Sequence, residues 1–448
     1  MTPRTRTKIW LLRTSVAAAA TICGTAVLAQ TATATVATAA TARTAMSAGA
    51  GRTEAAANTL NLRQVFDAAW ARQPEALALQ ERRDAARARQ SAAKTWTPEP
   101  AALELSNKTD RMGSNQGARE VEVGIAVPLW LPGERDRSAA LADAEGAAVE
   151  SRATAAQLRV AATVRDAWWQ WQRARIEGGT ARDQLESTRL IAADVARRAK
   201  AGDLARADQH QADGAAASAE ASVAQAEASL AAARLHLRAL AGAAPASPEA
   251  ALTEVGNALP EPDPGTAAAD VEAHAALQEL KDRAAVAERT VALTATQSRA
   301  NPELMLATTR DRSGRGEASQ QTITLAVRIP FGGGPRFDAR SANARAEATE
   351  IQAQLTLERE RFTAEREAAR VRVEASRTQL TAAERRAQLA RESRGFFDKS
   401  FRLGETDLPT RLRIEAEATE ADRQAARTRI ELAAAISAWR QALGLLPQ

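Results

Sequence analysis

The chain has 448 residues, a formal net charge of +5, and 26% charged residues. Aromatic residues make up only 3% and tyrosine is absent, while alanine, arginine and glutamate are abundant, a composition typical of long packed helices and not of an ordinary globule. Because the arginines alternate with acidic residues and no basic cluster with interleaved aromatics occurs, we expect no nucleic-acid partner.

The N-terminus has the pattern of an export signal. Basic residues precede or flank an apolar run, and the small side chains of Val27 and Ala29 suit cleavage after Ala29. We predict a signal peptide over residues 1–29 and a low-complexity lead-in over residues 30–57. Cys23, the only cysteine, lies inside the signal. A lipid anchor at Cys23 is the alternative, although Ile22 is large for the position before a lipidated cysteine.

The rest of the sequence consists of two similar halves. Proline and glycine landmarks recur 202 positions apart, as the pairs Pro100 and Pro302, Pro128 and Pro330, Gly202 and Gly404, and Gly242 and Gly444. We predict a first repeat over residues 58–242, a proline-rich linker over residues 243–270 and a second repeat over residues 271–448. Such a unit cannot bury its own apolar faces, so we expect its twin and further copies of the chain to cover them.

Each repeat contains two predicted strands, over residues 100–108 and 119–128 in the first and 302–309 and 321–330 in the second. Apolar residues alternate with small or polar ones in these segments, which is the period of a strand with two different faces. A half-buried sheet in a soluble protein and a membrane strand with lipid outside and water inside both fit this pattern.

In the membrane alternative, four strands cannot close a barrel, and open edges are not tolerated in lipid, so several chains must contribute strands. The polar positions of the strands would then face a water-filled lumen. The candidates for lumen-facing residues are Glu122, Thr324 and Arg328.

Long helices follow each pair of strands, over residues 138–201 and 204–241 in the first repeat and 339–403 and 407–443 in the second. No proline interrupts 138–201 or 339–403. Apolar and alanine residues of the return helices are spaced alternately by three and four, which predicts left-handed antiparallel coiled-coil hairpins.

Few residues suggest chemistry. The three histidines are scattered, and no nucleophile, base and orienting group can be assembled from the sequence, so we expect no enzyme, no cofactor and no metal site. Trp168, Trp169 and Trp171 form an aromatic cluster that we interpret as packing against a neighbouring helix or the linker. A site for stacking a ligand is the alternative.

The order and spacing of these features resemble the TolC family of outer-membrane efflux factors, over roughly residues 60–446. The two helix-hairpin turns, residues 201–208 and 401–409, carry the resemblance most clearly, together with the strand opening at residues 301–304. The turn over residues 403–409 looks most like members that are paired with heavy-metal cation pumps of the resistance-nodulation-division type.

The resemblance implies a mainly α fold with a small β part. It implies a homotrimer whose twelve strands form one barrel in the outer-membrane lipid of a Gram-negative bacterium and whose twelve helices continue as a tunnel through the periplasm. A periplasmic adaptor and an inner-membrane pump would be its partners, and the chain would be a passive exit duct. A periplasmic adaptor protein, which has one coiled-coil hairpin between β-rich halves, is the alternative function.

The resemblance also implies that the hairpin turns form a periplasmic tip that contacts the adaptor and lines the closed aperture. The residues expected there are Gly202, Asp203, Leu204, Asp208, Arg402, Leu403, Gly404, Glu405, Asp407, Arg411 and Arg413. The family archetype has acidic residues six and nine positions after the second glycine, where this chain has Thr410 and Arg413. The acidic ring is therefore expected from Asp203, Glu405 and their acidic neighbours.

Overall fold

A computed structural model describes residues 61–242, 261–265, 270–332 and 334–448. The predicted signal peptide, the predicted lead-in and most of the predicted linker lie outside these residues. The described residues all belong to one unit, Asn58–Gln448.

The first repeat begins with three helices, continues with two strands and ends with a long helical hairpin. Its elements are α1 (Leu62–Ala71), α2 (Pro74–Leu77), α3 (Leu79–Ala93), β1 (Ala102–Thr109), β2 (Arg119–Pro128), α4 (Glu134–Ala201) and α5 (Arg206–Ala241). Asn61 starts α1 with a capping box, because its side chain accepts the N–H of Gln64 while the Gln64 side chain accepts the N–H of Asn61.

The second repeat has the same order after a short 3₁₀ turn, Val271–Ala273. Its elements are α6 (Ala275–Thr296), β3 (Glu303–Arg312), β4 (Gln320–Arg328), α7 (Gly334–Arg402) and α8 (Leu408–Ala442). The predicted fold, mainly helical with two long helical hairpins and a small antiparallel sheet, is confirmed.

The two hairpin turns are built in the same way. Gly202 and Gly404 adopt left-handed conformations, with φ of +90° and +79°, which a residue without a Cβ atom reaches at no steric cost. The N–H groups of the next residues, Asp203 and Glu405, donate to carbonyls five residues back, at 2.9 and 3.0 Å. This Schellman geometry ends α4 and α7 and lets the chain reverse.

Several elements begin or end a few residues from their predicted bounds. The helix predicted to begin at 138 begins at Glu134. The buried Glu134 carboxylate accepts the N–H of Leu131 at 3.0 Å, which fixes the chain just before the helix. The helix predicted from 339 begins at 334, and β3 continues to Arg312, beyond the predicted end at 309.

The four strands form one antiparallel sheet in the order β1-β2-β3-β4. The central pairing joins the two repeats, since β2 lies beside β3 with Ile125 opposite Leu306. β1 and β4 are the edges of the sheet within the chain.

The long helices lie in the order α5-α4-α8-α7, because each hairpin packs along its own length and α4 also contacts α8. In α8 the predicted seam is buried, with Ala418, Ala421, Ala425, Thr428 and Ala435 inside. A second core forms where α1 packs on α4 and α5, around Phe66, Trp168 and Trp171. Within the described residues, no helix is both long enough and apolar enough to span a lipid bilayer.

Candidate functional site

One face of the four-stranded sheet is apolar and exposed. The antiparallel register places Ile125 between Leu103 and Leu306, and it places Leu306 opposite Leu325. Nine large apolar side chains of this face are each at least 40% exposed: Leu103, Leu105, Val121, Val123, Ile125, Leu306, Ile323, Leu325 and Val327. An apolar surface of this extent across a whole sheet marks an interaction face.

The opposite face of the sheet is polar or small apart from Met305. Glu122 lies opposite Ser106 and Thr309, and Thr324 lies opposite Ala307. Arg328 lies opposite Glu303, with 3.5 Å between the guanidinium and the carboxylate. Since side chains of a strand alternate between faces, the three residues predicted to line a lumen share this polar face.

The two hairpin turns meet at one end of the long helices. Residues from all four helices form a small buried cluster there, which we call the tip cluster: Ile191, Val195, Ala212, Phe401 and Leu408. Leu204, one of the predicted tip residues, packs against this cluster. The tips of the two repeats are therefore joined.

Phe401, at the centre of the tip cluster, lies between two arginines. The guanidinium carbons of Arg198 and Arg411 are 4.9 and 4.6 Å from its ring centroid, within the range of a cation–π contact. Arg411 also pairs with Asp398 at 2.8 Å, and its side chain is only 14% exposed. Arg411, predicted at the aperture, thus supports the tip from within.

The predicted acidic residues at the helix starts have local bonds. Asp208 accepts the N–H of Ala205 at 3.1 Å, and Asp407 accepts the N–H of Thr410 at 3.2 Å. Two hydrogen bonds from Thr410 hold the pKa of Asp407 below its usual range. The bond from the Thr410 hydroxyl has the larger effect and the bond from its N–H the smaller. Asp407 is therefore ionised and caps α8.

The other two arginines predicted at the tip are paired along their own helices. Arg402 pairs with Asp398 at 2.7 Å and Arg413 pairs with Glu417 at 2.9 Å. Asp203, Leu403 and Glu405 are exposed at the turns, with Leu403 75% exposed. Together with the exposed side chains of Arg402 and Asp407, they form the outward surface of the tip.

The structure also reveals a buried charged cluster that the sequence interpretation missed. Glu261, in the linker, accepts two bonds from Arg165 of α4, at 2.8 and 3.0 Å, and lies 3.3 Å from Arg440 of α8. Ser437 of α8 also donates to Glu261. We call these four residues the linker clasp. Each is at most 4% exposed.

Two helix faces remain exposed at the outer ends of the helix order. On α5 this face, the α5 flank, consists of Ala217, Ala221, Ala224, Ala228, Ala231 and Leu235. On α7 it is the α7 flank, which consists of Val371, Ala375, Thr378, Ala382, Arg385 and Leu389. Spacings of four and three residues define both flanks, and this is the repeat of a coiled-coil seam.

Metal-binding side chains are not grouped. Among the residues that the structure describes, no three His, Cys, Asp or Glu side chains lie close enough together to hold a metal ion.

Known structures share this fold. The outer membrane protein VceC of Vibrio cholerae is 18% identical with a TM-score of 0.68, over 86% of this chain and 96% of VceC. CusC, whose structures describe folding and transmembrane channel formation, is 15% identical with a TM-score of 0.69, over 87% of this chain and 93% of CusC.

The open state of the Neisseria gonorrhoeae MtrE outer membrane channel is 15% identical with a TM-score of 0.68, over 86% of this chain and 89% of MtrE. No family model matches the sequence, and no curated protein matches it. The chain thus has the fold of the TolC-type outer-membrane efflux channels.

Proposed function

We propose that this chain is the outer-membrane channel of a tripartite efflux system in a Gram-negative bacterium, a passive exit duct that extends into the periplasm. The observation that carries the proposal is the sheet, which has one exposed apolar face and one polar face and continues directly into the long helical hairpins. The fold shared with outer-membrane channels such as VceC and MtrE supports the same function.

The apolar face of the sheet fits lipid. The strands have 8 to 10 residues, close to the roughly 9–11 that a tilted strand needs to cross the hydrocarbon core. Every backbone group must be paired in lipid, so the edges β1 and β4 require further strands. With β4 of one copy beside β1 of the next, the antiparallel alternation continues without a break.

The helix flanks fit the same assembly. Ile176 of α4 and Ala426 of α8 line one cleft within the chain. Thr378 of the α7 flank is 202 positions after Ile176, and Ala224 of the α5 flank is 202 positions before Ala426. The internal repeat therefore predicts that Thr378 of one copy faces Ala224 of the next, so that the two flanks meet in register.

Such head-to-tail contacts close into a ring when the rotation between copies allows it. Three copies supply twelve strands and twelve helices, and the resemblance to the TolC family supports this number. In the ring the polar sheet face lines the lumen with Glu122, Thr324 and Arg328, while the apolar face contacts the outer-membrane lipid.

The tip of the helical tunnel is proposed to be both the aperture and the contact with a periplasmic adaptor. The side chains available to a partner there are the exposed ones, those of Asp203, Arg402, Leu403, Glu405 and Asp407. Gly202 and Gly404 set the turns, and Leu204, Asp208 and Arg411 hold them in place. An inner-membrane resistance-nodulation-division pump would deliver the exported compound through the adaptor.

Planar-bilayer recording of the mature chain, purified from outer membranes in detergent, tests the proposal. We expect discrete channels of small conductance that polyvalent cations block from the periplasmic side, because carboxylates ring the aperture. Replacing Asp203 with Asn and Glu405 with Gln should weaken that block. A soluble periplasmic protein without channel activity would contradict the proposal and favour an adaptor.

For the exported compound we propose heavy-metal cations, on the sequence of the turn over residues 403–409. Deleting the gene should then lower resistance to zinc, cobalt and cadmium, and the gene in trans should restore it. Loss of resistance to organic compounds alone would assign the channel to a different class of pump.

A further inference from the structure

The two helical hairpins repeat their ion pairs as well as their glycine turns. In the first hairpin Arg182 of α4 pairs with Glu227 of α5 at 3.0 Å. The residues 202 positions further on are Glu384 of α7 and Arg429 of α8, and they pair at 2.6 Å with the two charges exchanged. The offset of 202 therefore identifies side chains that face each other, whichever charge each of them carries.

A second ion pair recurs at the same offset. Arg189 of α4 pairs with Glu220 of α5 at 2.8 Å. The equivalent residues, Arg391 of α7 and Asp422 of α8, also pair at 2.8 Å. Two recurring pairs fix the register of the long helices, so a contact seen in one repeat can be transferred to the other.

The linker clasp shows which side chains meet where the first repeat contacts the second. Arg165 of α4 and Arg440 of α8 lie 2.8 and 3.3 Å from the same oxygen of Glu261. The ends of these two arginines are thus close enough to share one group. Two buried arginines without a counter-charge would be costly, and the linker supplies the carboxylate that neutralises them.

The equivalent positions at the junction between copies carry opposite charges. Glu367 of α7 is 202 positions after Arg165, and Arg238 of α5 is 202 positions before Arg440. The residue equivalent to Glu261 is the uncharged Thr59. Where α7 of one copy lies beside α5 of the next, the negative charge therefore comes from α7 itself.

Both side chains are open to this contact in the single chain. The Glu367 side chain is 60% exposed, and Arg238 is exposed. Glu367 accepts two bonds from Arg370, at 2.6 and 3.1 Å, and a carboxylate has further lone pairs for a second guanidinium. Arg238 has no acidic partner within the part of the chain that the structure describes.

We propose that Glu367 of one copy binds Arg238 of the next, so that Arg370, Glu367 and Arg238 form a clasp between copies. This arrangement repeats the order arginine, glutamate, arginine of the linker clasp. The proposal rests on the ring proposed above and names the residues by which one copy recognises the next. Within one chain, α5 and α7 are the outer helices of the order α5-α4-α8-α7, so the two residues meet only between copies.

Exchange of the two charges tests this pair. The measurement is the rate at which trimer of the mature chain, purified from outer membranes in detergent, converts to monomer on a denaturing gel. Glu367→Arg brings three arginines together and should speed the conversion at least about tenfold. Arg238→Glu should speed it by less, because Arg370 can neutralise the second carboxylate. The two changes together restore opposite charges and should be at least about tenfold slower than Glu367→Arg alone.

Glu365→Arg is the matched control. Glu365 also pairs with an exposed arginine of its own helix, Arg361 at 2.8 Å, so both variants lose the same kind of pair and change the net charge equally. Two residues along α7 turn the side chain by about 200°, away from the junction. The rate of Glu365→Arg should stay within about twofold of the parent rate.

Two results would overturn the clasp between copies: a double exchange that converts as fast as Glu367→Arg alone, and an equal acceleration by Glu365→Arg. Planar-bilayer recording of the same parent preparation separates these results from a failure of the proposed function. A conducting trimer that the charge changes leave unaffected keeps the duct and removes the clasp. A monomeric parent without conductance removes both.

Discussion

The linker clasp and the tip cluster both join the first repeat to the second, but they do so in different environments. The linker clasp is dry, since its four residues are at most 4% exposed. At the tip the apolar cluster around Phe401 is buried, with Phe401 2% exposed, but the Asp398 side chain that holds Arg411 is 28% exposed.

The difference indicates where the chain is fixed and where it can move. Removing one member of a fully buried ion pair leaves an unpaired charge in a medium of low dielectric constant, whereas a pair near water exchanges its partner for solvent. The clasp therefore fixes the position of one repeat on the other, and the tip is the end at which the repeats separate at the lower cost in free energy.

The largest effect is expected at the clasp. Glu261→Ala leaves Arg165 and Arg440 buried without their carboxylate, and we expect it to lower the free energy of unfolding by about 3–5 kcal/mol. The measurement is guanidinium unfolding in detergent at fixed protein concentration. Glu384→Ala, which breaks an ion pair whose side chains are 65% and 46% exposed, is the control and should cost at most about 1 kcal/mol. Equal losses in the two variants would contradict a dry clasp.

The second effect is expected at the centre of the tip. Phe401→Ala removes the ring that lies between Arg198 and Arg411, at a cost of about 3 kcal/mol, typical of a buried aromatic side chain. The loss should be local, because hydrogen exchange reports the opening of separate cooperative units. We expect faster amide exchange in the last turns of α4 and α7 and unchanged exchange around the clasp. Faster exchange throughout the protein would show that the tip is not a separate unit.

A smaller effect is expected from the partly exposed ion pair of the tip. Arg411→Met keeps the length of the side chain and removes its bond to Asp398 and its contact with Phe401, so we expect a loss of about 1–2 kcal/mol. Arg413→Met, two residues further along α8 and exposed, is the matched control and should change stability by less than about 0.5 kcal/mol. Unfolding by guanidinium compares the two. A larger loss of stability in Arg413→Met than in Arg411→Met would show that the placement of Arg411 beneath the tip is wrong.

The smallest effect is expected to be a loss of stability at acid pH, and it depends on His274, near the linker. His274, 5% exposed, stacks on Phe362 with 4.3 Å between ring centroids, and its Nδ1 accepts the N–H of Ala276. Burial lowers the pKa of His274, against the raising effects of a backbone bond with Gln441 and of Glu365, while Arg366 lowers it further.

In the window between the lowered pKa and the ordinary value of about 6.5, the unfolded chain binds more protons than the folded chain. Stability should therefore be full above about pH 6.5 and should fall as the pH drops below it. His274→Asn keeps a cap acceptor but cannot titrate there, so its unfolding free energy should depend less on pH between 5 and 8. An unchanged pH dependence in His274→Asn would assign the effect to other groups.

The sequence predicted the features that depend on local conformation. Gly202 and Gly404 recur at one offset because each turn needs a residue with positive φ. The strands were predictable because period-two alternation leaves one apolar face.

The positions of individual charges depend on contacts distant in sequence and were not predictable. Arg411 follows the second turn and looks like a tip residue, yet it lies beneath Phe401 because α8 packs on the ends of α4 and α7. Glu261 looks like part of a solvated linker. The sequence signals of the clasp are its neighbours Pro260 and Pro262 and the position of Arg165, which follows Val164 and precedes Trp168 by three residues.

The central claim is that copies of the chain close into a ring through the α5 and α7 flanks, and disulfide cross-linking between copies tests it most directly. The only cysteine, Cys23, lies in the predicted signal peptide, so Ala224→Cys and Thr378→Cys can be introduced together into a cysteine-free mature chain. Oxidation in intact outer membranes should give a covalent trimer on a denaturing gel. Ala224→Cys with Gln379→Cys is the control, because one residue along α7 turns the side chain about 100° away.

A trimer from the first pair and monomer from the second is the predicted result. Monomer from both pairs, or equal cross-linking by both, would contradict the ring.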